Sequence, residues 1–107
     1  MTSFDDREKA FETKFAHDEE VQFKVNARRN KLLGQWVAGK LGKTGADAEA
    51  YAKDVVMSDF EAPGHEDVLH KVMKDLKAAG APVTREEVCA VSERLLGEAR
   101  TQVMHEA

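Results

Sequence analysis

The placement of helix breakers constrains this chain more than any other feature. Breakers cluster at Gly42 to Gly45, at Pro63-Gly64 and from Gly80 to Pro82, and they divide the chain into four blocks. Within the blocks no β-branched alternation appears, so no strand is expected. The first block runs from about Asp18 to Leu41. Val21, Val25, Leu32 and Trp36 share one face of it, with Leu33 on the flank, and the size of Trp36 makes it the expected centre of the core. The second opens on Thr44-Gly45-Ala46-Asp47, the pattern of a capping box. Ala48, Tyr51, Ala52, Val55, Val56 and Phe60 then recur at helical spacing. The third begins after Pro63-Gly64, gathers Val68, Leu69, Val72, Met73, Leu76 and Ala79 on one face, and ends with Gly80 at the C′ position. The fourth opens on the capping box Thr84-Arg85-Glu86-Glu87, with Val83 and Val88 placed as a hydrophobic staple. Its face is Val88, Val91, Leu95, Ala99 and Val103. Four amphipathic helices joined by short links bury one another's stripes as a small bundle.

Ahead of these blocks lies a segment of another character. In residues 1–17, Phe4, Phe11 and Phe15 are the large apolar side chains after Met1. Their i, i+7, i+11 spacing puts the three rings within roughly 40° of one another on a helix. Asp5, Asp6, Arg7, Glu8, Lys9, Glu12 and Lys14 surround them. A core helix usually shows an apolar face of about 100° or more, so this stripe is thin for that purpose. It suits a segment that folds into a partner's groove on a few aromatic anchors. The other reading is a frayed extension, or a helix held to its own domain by three rings. The stripe is rotated by roughly 70° from the Val21/Val25 face if the helix is continuous. No Gly or Pro separates the two, so a continuous helix and a hinge near His17 both stay open. The expected fold is therefore all-α: a four-helix globular domain over residues 18–107, preceded by a flexible, partly helical N-terminal segment over residues 1–17.

The totals exclude several classes. The chain has 107 residues and a formal net charge of −4, which argues against a general nucleic-acid binder or a protein held on an anionic membrane. No run approaches the roughly 20 apolar residues that cross a bilayer, so no direct membrane insertion is expected. The early acids and the lack of an apolar stretch predict no signal peptide. Cys89 is the single cysteine, which rules out an internal disulfide and suits a reducing cytoplasm.

Catalytic patterns are incomplete. Gly34-Gln35-Trp36-Val37-Ala38-Gly39-Lys40 has the opening of a phosphate-binding loop, but Leu41 stands at the Ser/Thr position. Gly42-Lys43-Thr44 has the ending, but Val37 stands where its first Gly belongs. Such a loop follows a strand, and none is expected here; the glycines read as marking a helix end. His65-Glu66-Asp67-Val68-Leu69-His70 is one residue too long for a zinc-binding H-E-x-x-H, and at i, i+5 the imidazoles diverge by roughly 140°. His65 then reads as a surface residue of a first turn and Cys89 as an inert, packed thiol. No nucleophile, base and oxyanion donor assemble, so neither an enzyme, a metal site nor a cofactor is expected. Lys24, Arg28, Arg29 and Lys31 form a local basic cluster. It reads as a solvated face paired with Asp18, Glu19 and Glu20, or as a docking patch for an acidic protein or a phosphate.

The wording of the chain adds to this. Phe4-Asp5-Asp6-Arg7-Glu8-Lys9-Ala10-Phe11-Glu12 is followed by Lys14-Phe15-Ala16. Ala27-Arg28-Arg29-Asn30-Lys31-Leu32-Leu33-Gly34 precedes Trp36 and Lys40-Leu41-Gly42, and then come Ala50-Tyr51-Ala52-Lys53-Asp54-Val55-Val56 and Asp59-Phe60-Glu61. Together these resemble the ζ subunit family of alphaproteobacterial ATP synthase inhibitors, over nearly the whole chain and most strongly in residues 4–60. The resemblance implies a four-helix globular part that docks on the F1 head of the F1Fo-ATP synthase, against its α/β and γ subunits; the free protein is expected to be a monomer. It implies a cytoplasmic protein, peripheral to the inner membrane when bound. It also implies that an N-terminal segment inserts at a catalytic α/β interface, becomes helical and blocks rotation in the hydrolytic direction. Phe4, Arg7, Phe11, Lys14 and Phe15 fall in that segment. Two alternatives remain: a small-ligand bundle whose basic cluster meets a nucleotide, without a complete motif to support it, and an interaction module with no inhibitory role.

Overall fold

The computed structural model describes the backbone of residues 3–61 and 64–106 and, within these, the side chains of residues 19–59 and 64–106. The described backbone forms four helices: α1 (Ser3–Lys40), α2 (Gly45–Glu61), α3 (His65–Ala78) and α4 (Arg85–Glu106). The links fall at the three breaker clusters. After α1, Gly42 takes φ 78°. The Lys43 amide donates to the Ala38 carbonyl at 2.9 Å and the Gly42 amide to that of Gly39 at 3.2 Å. Gly80 repeats this after α3 with φ 70°, its neighbour Ala81 donating to Leu76 at 3.0 Å. Both are Schellman closures, which need a residue at ease in the left-handed region. At the start of α4 the Glu87 amide donates to Thr84 Oγ1 at 3.1 Å, one half of the expected box. At α2 the Asp47 amide reaches the Thr44 carbonyl instead, at 3.2 Å.

α1 is unbroken through His17. At about 1.5 Å per residue a helix of this length spans roughly 57 Å, and α1 sets the long axis of a molecule measuring 65 × 25 × 23 Å. α4 runs antiparallel to it. Val25 packs with Ala99 and Val103, and Arg28 reaches Gln102 and Glu106 at the end of α4. From that level α1 continues back to Ser3.

The main core joins Leu33, Val37 and Ala38 of α1 to Tyr51 and Val55 of α2, Val68, Leu69, Val72 and Leu76 of α3, and Val88 and Leu95 of α4. Trp36 is not its centre. It is half-buried at the margin, with Lys40 Nζ 5.3 Å from the ring centroid. Leu33 and Val37, fully buried, lie about 100° round the helix from Leu32 and Trp36. The physical reason is that α1 has neighbours on two sides. Val21, Val25 and Leu32 serve α4, whereas Leu33, Val37 and Ala38 serve α2 and α3. Gly34 does not end a helix either. It lies mid-α1, where an added Cβ would come 2.7 Å from the Ala52 Cα, so its missing side chain lets α1 and α2 touch backbone to backbone.

Candidate partner-binding site

The backbone of Phe4, Arg7, Phe11, Lys14 and Phe15 lies in α1; their side chains lie outside the described residues. The Phe60 side chain, expected on the core face of α2, does as well.

The four basic residues on α1 do not make one surface. Lys24 is exposed and pairs with Glu20 one turn away at 3.3 Å. Arg28 turns to α4, donating from Nη1 to Gln102 Oε1 at 2.8 Å and from Nη2 to Glu106 Oε1 at 2.6 Å. Arg29 points inward and is 9% exposed, its Nε donating to Asn30 Oδ1 at 3.2 Å. Lys31 is exposed on the α2 side. Consecutive residues on a helix are about 100° apart, so a basic run in sequence spreads around the axis.

Arg29 belongs to a buried polar group that the sequence reading did not identify. Asn30 is fully buried and Ser92 is 2% exposed. Ser92 Oγ and His65 Nε2 are 3.1 Å apart, so His65 is half-buried against α4 rather than a surface residue. Asn30 Nδ2 and His65 Nδ1 are buried without a hydrogen-bond partner. Burial lowers the pKa of the Arg29 guanidinium, while Asp59 raises it. Burial and then Arg29 lower that of the His65 imidazole against Glu66 and Asp59. Asp59 also accepts from the Gly64 amide at 3.3 Å, tying the start of α3 to the end of α2. A signal for part of this was present: Asn30 falls one turn before Leu33 and two before Val37, and Ser92 lies between Val88 and Leu95, so both occupy core positions. Cys89, like His65, is half-buried, against the main core.

α2 and α3 are clasped by Tyr51, whose hydroxyl donates to Asp75 Oδ2 at 2.8 Å. Lys71 Nζ donates to the same oxygen at 3.2 Å and lies 5.5 Å from the Tyr51 ring centroid. Burial, then the Asp75 carboxylate, pushes the Tyr51 phenol well above the usual range; the clasp is structural at any ordinary pH. Between α1 and α2 runs an open groove of about 490 Å³, lined in part by Lys31, Lys53 and Met57.

The described residues define a small all-helical bundle, extended at one end by the front of α1. The sequence matches the family described as ATPase inhibitor subunit zeta over residues 1–102, and the chain belongs to that family. It is a family of regulators, directed at the ATP synthase. No curated protein matches the chain. A protein whose structure was solved by solution NMR is similar, at 51% identity and a TM-score of 0.70, over 80% of this chain and 98% of that one. No described helix is long and apolar enough to cross a membrane.

Proposed function

We propose that this chain inhibits ATP hydrolysis by docking on the F1 head of the F1Fo-ATP synthase and inserting residues 1–17 at a catalytic α/β interface, where they block rotation. Residues 18–107 act as the globular anchor, on the cytoplasmic side of the membrane that holds the enzyme, and the free protein is a monomer. The observation that carries this reading is the continuity of α1. The helix that begins at Ser3 also supplies Leu33 and Val37 to the main core, so a load on its front half is borne by the whole bundle. A segment hung from a loose linker has no such support. Family membership, with a match that begins at residue 1, supports the same reading.

Phe4, Phe11 and Phe15 are the anchors, with Arg7 and Lys14 as charged neighbours. Each ring buried in a partner groove contributes roughly 1.5 to 3 kcal/mol. The test is steady-state ATP hydrolysis by isolated F1 in the presence of the full chain and of a variant lacking residues 1–17. The full chain slows hydrolysis, and the shortened one still binds F1 without slowing it. Unchanged hydrolysis with the full chain defeats the proposal.

A further inference from the structure

On the solvent side of the close contact between Gly34 and Ala52, α1 and α2 form a groove of about 490 Å³. Lys31 and Gln35 form its α1 rim, and Lys53 and Met57 its α2 rim. Ala52 and half-buried Val56 line it from α2. Met57 is 53% exposed, and among the described residues Phe23 and Met104 are the other large apolar side chains left so open. Lys31 and Lys53 have no ion-pair partner among the described residues, as is also true of Lys74 and Lys77 on α3, but Lys31 and Lys53 flank an apolar groove. A strip of apolar surface flanked by two unpaired ammonium groups thus lies open on a chain whose net charge is −4.

We propose that this groove receives an acidic amphipathic helix on the outer surface of the F1 head, and that it holds the bundle in place while the front of α1 is inserted. The inference rests on the inhibitor reading above. Two features select that occupant. Charge is the first: a net-negative protein is repelled by an acidic surface except where a local cationic site faces it, and Lys31 and Lys53 supply one on each rim. Geometry is the second. Lys31 stands on the helix whose N-terminal part enters F1, so the groove's α1 rim is carried on the inserted element and lies beside the same partner. Apolar side chains of the incoming helix pack on Ala52, Val56, Met57 and the lysine stems. Its carboxylates meet the two ammonium groups. Glu49, at the α1–α2 turn end of the groove, sets the direction, since an acidic residue there would be repelled.

Affinity for isolated F1 is measured at about 50 mM and about 300 mM salt for the full chain and for the double variant Lys31→Glu, Lys53→Glu. The wild-type chain binds more weakly at the higher salt. The double variant binds at least tenfold more weakly at the lower salt and loses that salt dependence, with its melting temperature unchanged. Met57→Ala weakens binding several-fold at both salts, through lost apolar contact. The double variant Lys74→Glu, Lys77→Glu on exposed α3 positions matches wild type. Wild-type affinity in the Lys31/Lys53 variant overturns the groove assignment while leaving inhibition standing, as does an equal loss in the α3 variant, which would show a nonspecific charge effect. Sedimentation showing a wild-type dimer that the Lys31/Lys53 variant abolishes overturns it in favour of a second copy in the groove. A wild-type chain that fails to bind F1 overturns the inhibitor reading, and the groove's partner with it.

Discussion

Burial holds the His65 imidazole below its ordinary pKa of 6.5, and Arg29 adds to this while Glu66 and Asp59 oppose it. The sign of the consequence follows from proton counts. Between the folded pKa and 6.5 the unfolded chain binds more protons than the folded one, so stability rises with pH across that window. The contribution is complete above pH 6.5 and is lost as pH falls through the folded value. The melting temperature is therefore expected to drop on acidification from neutrality, and to drop less in His65→Gln, which keeps a polar group beside Ser92. Equal slopes for the two proteins would show that other groups govern the acid limb. Gly34 gives a second prediction at this scale. Alanine is the better helix former by about 1 kcal/mol, yet Gly34→Ala is expected to destabilise by on the order of 1 to 3 kcal/mol. Its Cβ would sit 2.7 Å from a backbone atom, the Ala52 Cα, and no side-chain rotation relieves that. Urea denaturation measures the difference. His65 shows why some of the site was illegible: the residue that engages it, Ser92, is 27 positions away, and no local pattern reports such a neighbour.

Among the elements, what the sequence revealed and what it concealed follow a physical line. The three links and the Schellman glycines Gly42 and Gly80 depend on local backbone demands, which residue type reports directly. The faces of α3 and α4 were readable because each turns one main stripe inward. Val68, Leu69, Val72 and Leu76 are buried, as are Val88, Leu95, Ala99 and Val103. The face of α1 was misjudged because a helix with neighbours on two sides has no single stripe, and Trp36 went to the margin while Leu33 and Val37 went in. The caps also divide. Thr84 caps α4 with its side chain, so Thr84→Ala is expected to cost about 1 kcal/mol. At α2 the Asp47 amide meets only the Thr44 carbonyl, a bond that Thr44→Ala leaves in place, so that variant is expected to lose a few tenths of a kcal/mol or less. Thermal melts of the two variants, run side by side, check the contrast.

For the molecule as a whole the question is whether α1 serves one purpose or two. From Val21 onward most of its large apolar side chains pack on the other helices, whereas Phe23 is 58% exposed. Ahead of that come Phe4, Phe11 and Phe15, at sequence positions that ideal helix spacing turns by roughly 70° from those of Val21 and Val25. If the rings serve a partner, replacing all three with alanine removes roughly 1.5 to 3 kcal/mol per ring from the complex and nothing from the bundle. The triple variant is then expected to inhibit F1 more weakly by orders of magnitude, while its melting temperature stays within a degree or two of wild type, since ΔΔG near zero shifts Tm little. If the rings instead packed on their own bundle, the same substitution would act as a core truncation, and a loss of even 2 kcal/mol would lower Tm by roughly 8 to 16 °C in a domain of this size. The two measurements separate the cases without knowledge of the complex. Weak inhibition with an unchanged melt assigns the stripe to F1, and a large fall in Tm assigns it to the bundle and removes the insertion mechanism.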